Sequence, residues 1–283
     1  MDIQQRLATA IDEPVIDIES LGGGCVSEVY LVRLSSGEQL VVKLDEDEQA
    51  SLPVEAKMLL YLSEHSPLPV PSVRYYNGKI LVMAFMSGES RFSIDAEQHA
   101  AELLGALHSL SSSAYGFEFD TLIGGLPQPN PSNQFWIEFF RDQRLLYMAK
   151  EGYRAGRLPG ELLKRLEKFS DQLHHFLLEP PKPSLIHGDV WTTNVLAEGK
   201  RIKAFLDPAI YFAHHEIELA FITLFNTFSQ RFFERYQEIR PIAAGFFEER
   251  CDIYNLYPLL VHVRLFGGSY TAAVDRTLRR FGF

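Results

Sequence analysis

Leu185-Ile-His-Gly-Asp-Val-Trp-Thr-Thr-Asn-Val-Leu196, followed shortly by Phe205-Leu-Asp207, decides how this chain is read. Asp189, Asn194 and Asp207 fall within one short region. Apolar runs of strand character flank each polar cluster. Transfer of a phosphoryl group from a nucleotide needs this set of side chains. One carboxylate orients the acceptor hydroxyl and accepts its proton. An amide oxygen and a second carboxylate hold Mg²⁺ against the phosphates.

Upstream of this stretch the chain changes character near Ser87. The first part is strand-rich: Val15 to Ile18, Val26 to Leu34 and Gln39 to Leu44 carry many β-branched residues. Ser35-Ser36-Gly37-Glu38 separates two of these runs and predicts a hairpin turn. Pro53 to Ser63 has helical character, with Pro53 suited to a first helical turn. Pro67, Pro69 and Pro71 forbid its continuation. Lys79 to Met86 predicts another strand, ended by Ser87-Gly88. Beyond that point helical periods dominate. Leu103, Leu104, Leu107 and Leu110 share a face of a helix over Ile94 to Leu110, with Asp95 and Gln98 as its capping box. Leu162 to Leu178 carries a similar stripe, and Glu216 to Phe228 predicts a buried helix. The fold class is therefore α+β with two lobes. Residues 1–87 form a nucleotide-binding lobe and residues 88–283 a catalytic and substrate lobe, with the ligand cleft between them.

Asp189, Asn194 and Asp207 repeat the spacing of the protein-kinase catalytic loop and its downstream metal-binding Asp. Other parts of that pattern occur in order. Gly22-Gly-Gly-Cys-Val-Ser-Glu-Val29 fits the kinase glycine loop, with Ser27 in the third glycine place. A glycine-rich turn between strands is commonly no more than a turn. A Lys at a strand end is commonly just solvated. Here Lys43 ends the strand where a kinase places the Lys that reaches the α- and β-phosphates, and Glu55 lies on the next helix as its partner. The order of glycine loop, Lys, helical Glu, Asp-x4-Asn and Asp strengthens every member together. The nucleotide side is thus assigned to Gly22, Gly23, Gly24, Cys25, Val26, Ser27, Lys43, Glu55, Met83 and Phe85, with ATP and Mg²⁺ as cofactors.

Composition limits the alternatives. The chain has 283 residues, 46% of them hydrophobic and 23% charged, which is ordinary for a soluble globular protein. A net charge of −10 without a basic stripe argues against a nucleic-acid surface. Cys25 and Cys251 are too few for a disulfide framework or a zinc site, and suit a reducing cytosol. No signal peptide and no bilayer-spanning run is read, so a cytoplasmic location is expected. His174-His175 and His214-His215 form no metal set, because adjacent residues point differently and no third ligand has suitable spacing. Asp45-Glu46-Asp47-Glu48 reads as a solvated loop.

Departures from the protein-kinase pattern narrow the class. Gly188 stands where protein kinases carry the Arg that holds a phosphorylated activation loop. Asp207-Pro-Ala209 replaces Asp-Phe-Gly, and no Ala-Pro-Glu segment follows. Without the apparatus of loop phosphorylation, a small-molecule kinase with a constitutively formed site is expected. His187-Gly-Asp-Val-Trp-Thr-Thr-Asn194, Asp207-Pro-Ala209 and Pro127-Gln-Pro-Asn130 with Trp136 and Arg144-Leu-Leu146 resemble the fructosamine kinase (ketosamine-3-kinase) family. The resemblance runs from about Ile18 to Gly268. Val190 stands where Leu is commoner, a change of volume without chemistry.

That resemblance implies an ATP-dependent kinase acting on a ketosamine, free or protein-bound, at its third hydroxyl, with a role in protein deglycation. It implies Asp189 as general base, Asn194 and Asp207 as Mg²⁺ ligands, and a substrate side including Trp191, Gln128 and Asn130. Trp191 is either core or a platform for the sugar. His187 organises the loop, and Glu218 braces it. The resemblance also implies a redox-sensitive Cys25, and with it a monomer or a redox-dependent dimer. Neither nucleic acid nor membrane is an expected partner. Two rivals stay open: a kinase for an aminoglycoside or choline-like acceptor, and a nucleotide-binding pseudokinase that regulates a partner.

Overall fold

The computed structural model describes residues 7, 10–22, 27–45 and 51–283. Gly23, Gly24, Cys25, Val26 and the segment Glu46-Asp47-Glu48, all read from the sequence above, lie outside the described residues.

The N-terminal lobe is one antiparallel sheet: β1 (Val15–Ser20), β2 (Glu28–Leu34), β3 (Gln39–Leu44), β4 (Val73–Tyr76) and β5 (Ile80–Ala84), in the order β1-β2-β3-β5-β4. Strict alternation along β3 sends Leu40, Val42 and Leu44 to one face, where they pack with Val32, Leu34, Ile80 and Val82. Val41 and Lys43 face the other way. On that side helix α1 (Ser51–His65) lays Leu52, Ala56 and Leu59 against Leu81 and Met83. Register sets Lys43 opposite Val29 on one side and Leu81 on the other, so its side chain leaves the middle of the sheet toward the cleft.

Several sequence expectations need correction. β4 went unread because the prolines before it signal only a stop and the strand has just four residues. Asp45 is buried, not solvated: its carboxylate accepts the Ser51 hydroxyl at 2.6 Å. In the C-terminal lobe, α2 (Ile94–Leu107) is capped by Ser93, whose Oγ accepts the Ala96 N–H at 3.2 Å. Asp95 sits inside the first turn and pairs with Lys200. The stripe from Leu162 to Leu178 is not one helix. The helix spans Gly160–Ser170, and a 3₁₀ turn, Leu173–His175, then bends the chain so that the ring of Phe176 meets Phe169 and Phe281.

The remaining helices used below are α3 (Trp136–Phe140), α4 (Leu146–Arg154), α5 (Gly160–Ser170), α6 (Glu216–Leu224), α7 (Gln230–Ile239), α8 (Cys251–Phe266) and α9 (Ser269–Arg280). A π-helical turn, Arg141–Leu145, joins α3 to α4. α6 stops short of Phe228 where Asn226 turns left-handed at φ 49°. Trp136, Phe139, Phe140, Tyr254 and Leu260 belong to the large core that these helices enclose.

Inside that core Arg250 makes a two-pronged ion pair with Glu216, both bonds 2.7 Å, and also donates to the carbonyls of Ala243 and Ala244. Both side chains are almost fully buried. Replacing Arg250 by Met strands a buried carboxylate, which typically costs about 3–5 kcal/mol. The expected result is a midpoint lower by roughly 10 °C, given about 2–4 °C per kcal/mol for a chain of this size. Thermal unfolding checks it, and an unchanged midpoint would count against the pair as a structural fastener.

Candidate active site

Two short hairpin-like ladders build the site. β8 (Ser184–Ile186) pairs with β11 (Tyr211–Ala213), and β9 (Val195–Glu198) pairs with β10 (Arg201–Phe205). The loop from His187 to Asn194 joins β8 to β9, and the loop from Leu206 to Ile210 joins β10 to β11. Backbone bonds tie the two loops at both ends: Ala209 N–H donates to the His187 carbonyl and Leu206 N–H to the Asn194 carbonyl, each at 2.8 Å. Asp189, Asn194 and Asp207 are brought to one place by that double tie. Asp207 adopts φ 52°, a conformation that Asp tolerates better than most residues.

Asn194 donates Nδ2–H to the Asp189 carboxylate at 2.8 Å and to its carbonyl at 3.1 Å. Its Oδ1 is left for another partner. From the opposite lobe, Lys43 Nζ reaches Asp207 Oδ1 at 2.5 Å and Glu55 Oε1 at 2.7 Å. Burial opposes the Lys43 ammonium, but the two carboxylates outweigh it and raise its pKa. Burial pushes Glu55 up, with the Asp207 charge adding to it and Lys43 opposing. Burial likewise pushes the Asp189 carboxyl up, to about 8, and the nearby Asp207 charge adds to the rise against the Asn194 hydrogen bond. A base near neutrality is well matched to proton transfer.

Two supports lie beneath the loop. His187 is fully buried and its Nδ1 accepts the Asp189 N–H at 3.3 Å. Glu218 accepts the N–H of Gly188 at 2.6 Å and of His187 at 3.3 Å. Gly188 itself has φ 86°, and a Cβ there would lie 2.2 Å from the Ala209 carbonyl oxygen. The close approach of the two loops thus excludes the Arg of the protein-kinase pattern.

These groups open on a cavity of about 620 Å³ between the lobes. Gly22, Ser27, Lys43, Glu55, Met83 and Phe85, the described residues read from the sequence as a nucleotide site, line its N-terminal-lobe side. Its other side is walled by Trp191, Phe225, Tyr257, His262 and Phe266, with the tip of a hairpin, Gly124 and Gly125. Trp191 is half-buried, its ring 5.7 Å from that of Phe225. Phe225 in turn lies 5.3 Å from the His262 ring, whose Nδ1 meets the Pro258 carbonyl at 2.7 Å.

Gln128 and Asn130 do not line the cavity, contrary to the substrate role expected of them. Both are buried and saturated with protein partners. Gln128 accepts the Tyr257 hydroxyl and donates to Thr121 and the Ala209 carbonyl. Asn130 donates to Thr121 and the Phe119 carbonyl and accepts Arg144 at 2.5 Å. They hold the base of a hairpin, β6 (Thr121–Ile123) and β7 (Leu126–Gln128), and present its tip. Tyr257, His262 and Phe225 were missed in the sequence. The available signal was a histidine, His262, in an apolar helix that ends at Gly267-Gly268.

The oxygens at hand suit a hard cation. Asn194 Oδ1 and the half-exposed Asp207 carboxylate are donors of the kind Mg²⁺ takes, which commonly binds through one or two protein oxygens plus phosphates. Among the described residues no cluster of His, Cys, Asp and Glu offers a complete protein-only metal cage.

The fold recurs in an aminoglycoside phosphotransferase solved in a ternary complex with AMP-PNP and hygromycin B, at a TM-score of 0.71 and 16% identity over 99% of this chain and 98% of that one. That likeness shows a two-lobed protein-kinase-like fold, and the family match and relatives that follow make the chain an ATP-dependent phosphotransferase of that fold. Residues 1–281 match the family model described as fructosamine kinase, and the chain belongs to that family. It is 32% identical to a "probable ketoamine kinase" of Synechocystis over 98% of this chain and 95% of that one. A further "probable ketoamine kinase", from Escherichia coli K12, is 31% identical over 98% and 97%. A solved structure of a candidate fructosamine-3-kinase from Thermobifida fusca superposes with a TM-score of 0.88 at 30% identity, covering 99% of each chain.

Proposed function

We propose that this protein transfers the γ-phosphate of ATP to a ketosamine hydroxyl, the third of the sugar chain, and so takes part in deglycation of amines. One observation carries the reading: Asp189 sits between a nucleotide side equipped with Lys43 and an aromatic chamber begun by Trp191, two residues further along the same loop. Asp189 accepts the proton of the acceptor hydroxyl while Asn194 fixes the carboxylate's direction. The hydroxyl oxygen bonds to the γ-phosphorus, the bond to the β-phosphate oxygen breaks, and ADP leaves. Lys43, aligned by Glu55, meets the α- and β-phosphates. Asn194 and Asp207 are the ligands for Mg²⁺, which when bound supplies charge neutralisation at the phosphates. The intact set speaks against a pseudokinase.

Residues 1–87 serve as the nucleotide lobe and 88–283 as the acceptor lobe. In support, Gly88 takes φ 141° at the crossing, and Glu89 bridges to Ala197 of β9. The acceptor chamber suits a polyol bearing an amine: aromatic faces pack sugar C–H groups and tolerate a neighbouring cation. A phosphate at the third carbon becomes allylic once the ketosamine enolises toward its amine. Its expulsion leaves an unsaturated imine, and water then releases the amine. Among the described residues no helix is long and apolar enough to cross a membrane.

ATP-dependent phosphorylation of fructosyl- or ribulosyl-lysine is expected, with free lysine inert. Trp191→Ala should raise KM for the ketosamine by more than about tenfold, the scale of losing one large aromatic contact, while KM for ATP stays put. A higher kcat/KM on an aminoglycoside or choline than on any ketosamine would overturn the acceptor assignment.

A further inference from the structure

Beneath the catalytic loop lies a chain of buried polar side chains that no step of the transfer uses. Its centre is the Glu218 carboxylate on α6, which holds the backbone N–H of Gly188 and of His187. The third donor to this carboxylate is a side chain. His108, at the C-terminal end of α2, places Nε2 2.8 Å from Glu218 Oε2, and its Nδ1 lies 2.6 Å from the Tyr236 hydroxyl on α7. His108, Glu218 and Tyr236 are all buried to 1% exposure or less. Arg240 clamps the same place, donating to the His108 carbonyl and to the hydroxyl of Ser184, the first residue of the strand that feeds the loop.

The chemistry of this chain is one-directional. A hydroxyl donated to Nδ1 leaves the ring proton on Nε2, aimed at Glu218. Among the described residues no Lys or Arg side chain bonds Glu218, so N–H donors of the loop and of His108 satisfy it. Burial works against its charge, yet the donors outweigh burial and hold the carboxyl below the ordinary range. Without His108, one oxygen would keep only the long 3.3 Å bond from His187. A carboxylate short of a donor in a dry site shifts toward whatever partner it can find, and the grip on Gly188 loosens. Asp189 follows Gly188 directly. The nucleotide-side groups have further ties that do not pass through Glu218, Lys43 to Glu55 and the Leu206 N–H to the Asn194 carbonyl.

We propose that His108, oriented by Tyr236, is a positioning residue for phosphoryl transfer: it keeps Glu218 bound to the backbone of the catalytic loop and so fixes Asp189 at the acceptor hydroxyl. The proposal rests on the transfer reaction assigned above, but not on the identity of the acceptor. A displacement of about 1 Å at a reacting group typically costs on the order of 10²-fold in rate. His108→Leu should therefore lose about that much kcat, while the dissociation constant of ATP, read by equilibrium binding, stays that of the wild type. His108→Gln carries an amide nitrogen to the place of Nε2 and should recover most of kcat. His108→Asn carries its amide to the place of Nδ1, facing Tyr236, and should not. The Gln-against-Asn comparison decides the matter even where His108→Leu fails to fold. Equal kcat in the Gln and Asn variants, a wild-type kcat in His108→Leu, or ATP affinity falling in step with kcat would overturn the proposal. All rates are read on an acceptor that the wild type phosphorylates. A wrong acceptor class then shows as a wild type inert toward ketosamines, separately from the variant ratios.

Discussion

Asp189→Ala is expected to abolish phosphoryl transfer and leave ATP binding intact. Loss of a positioned base typically costs about 10²–10⁴ in rate. The effect should fall on chemistry because the Asp189 carboxylate makes no bond to Lys43, and Asn194 keeps its bonds to the carbonyl of residue 189 and to the Leu206 N–H. ATP affinity should then hold. Asp207→Ala is the contrasting case. It removes a partner of Lys43 and one of the two oxygens suited to Mg²⁺, so nucleotide binding and turnover should fall together. Steady-state rates on the accepted substrate, beside equilibrium binding of ATP with and without Mg²⁺, separate the two patterns. Near-normal kcat in Asp189→Ala would remove the residue as base.

Why Asp189, Asn194 and Asp207 were legible in the sequence has a physical reason. They lie on two loops joined by local hairpins, so short-range order in the chain already implies their proximity. Lys43 and Glu55 were legible for a similar reason: alternation along β3 and the helix directly after it fix which way each points. Gln128 and Asn130 mark the opposite case. A Pro-Gln-Pro-Asn segment carries every sign of an exposed loop, and its polar side chains invited a ligand role. Thr121, Arg144 and Tyr257 supply their partners instead, and the Tyr257 contact spans 129 positions of sequence. His108 was silent for the same cause. A single histidine at the end of an amphipathic helix gains meaning only from Glu218, 110 positions away. The helix expected through Leu178 failed because a continuing apolar stripe does not require a continuing helix. Phe176 reaches the same core through a turn.

Gly188→Ala is expected to damage stability and turnover together, beyond what a left-handed residue alone would cost. An Ala at φ 86° carries a penalty of roughly 1–2 kcal/mol. Its Cβ would also stand 2.2 Å from the Ala209 carbonyl oxygen and 2.8 Å from that carbonyl carbon. Backbone atoms cannot swing aside as a flexible side chain would. Nor can the loops part freely, since Ala209 N–H is bound to the His187 carbonyl and Gly188 N–H to Glu218. Relief must stretch one of these bonds, and each of them sets the position of Asp189 or Asp207. A fall in kcat on the order of 10²-fold is therefore expected beside a lower unfolding midpoint. Gly199→Ala is the proper control. That glycine has φ 59°, and a methyl group added to it would meet nothing within 4 Å, so it isolates the conformational penalty from the clash. The difference between the two variants measures the approach of the two loops. A Gly188→Ala protein that matched Gly199→Ala in midpoint and the wild type in kcat would mean that the loops yield without cost. The exclusion of Arg from this position would then need another cause.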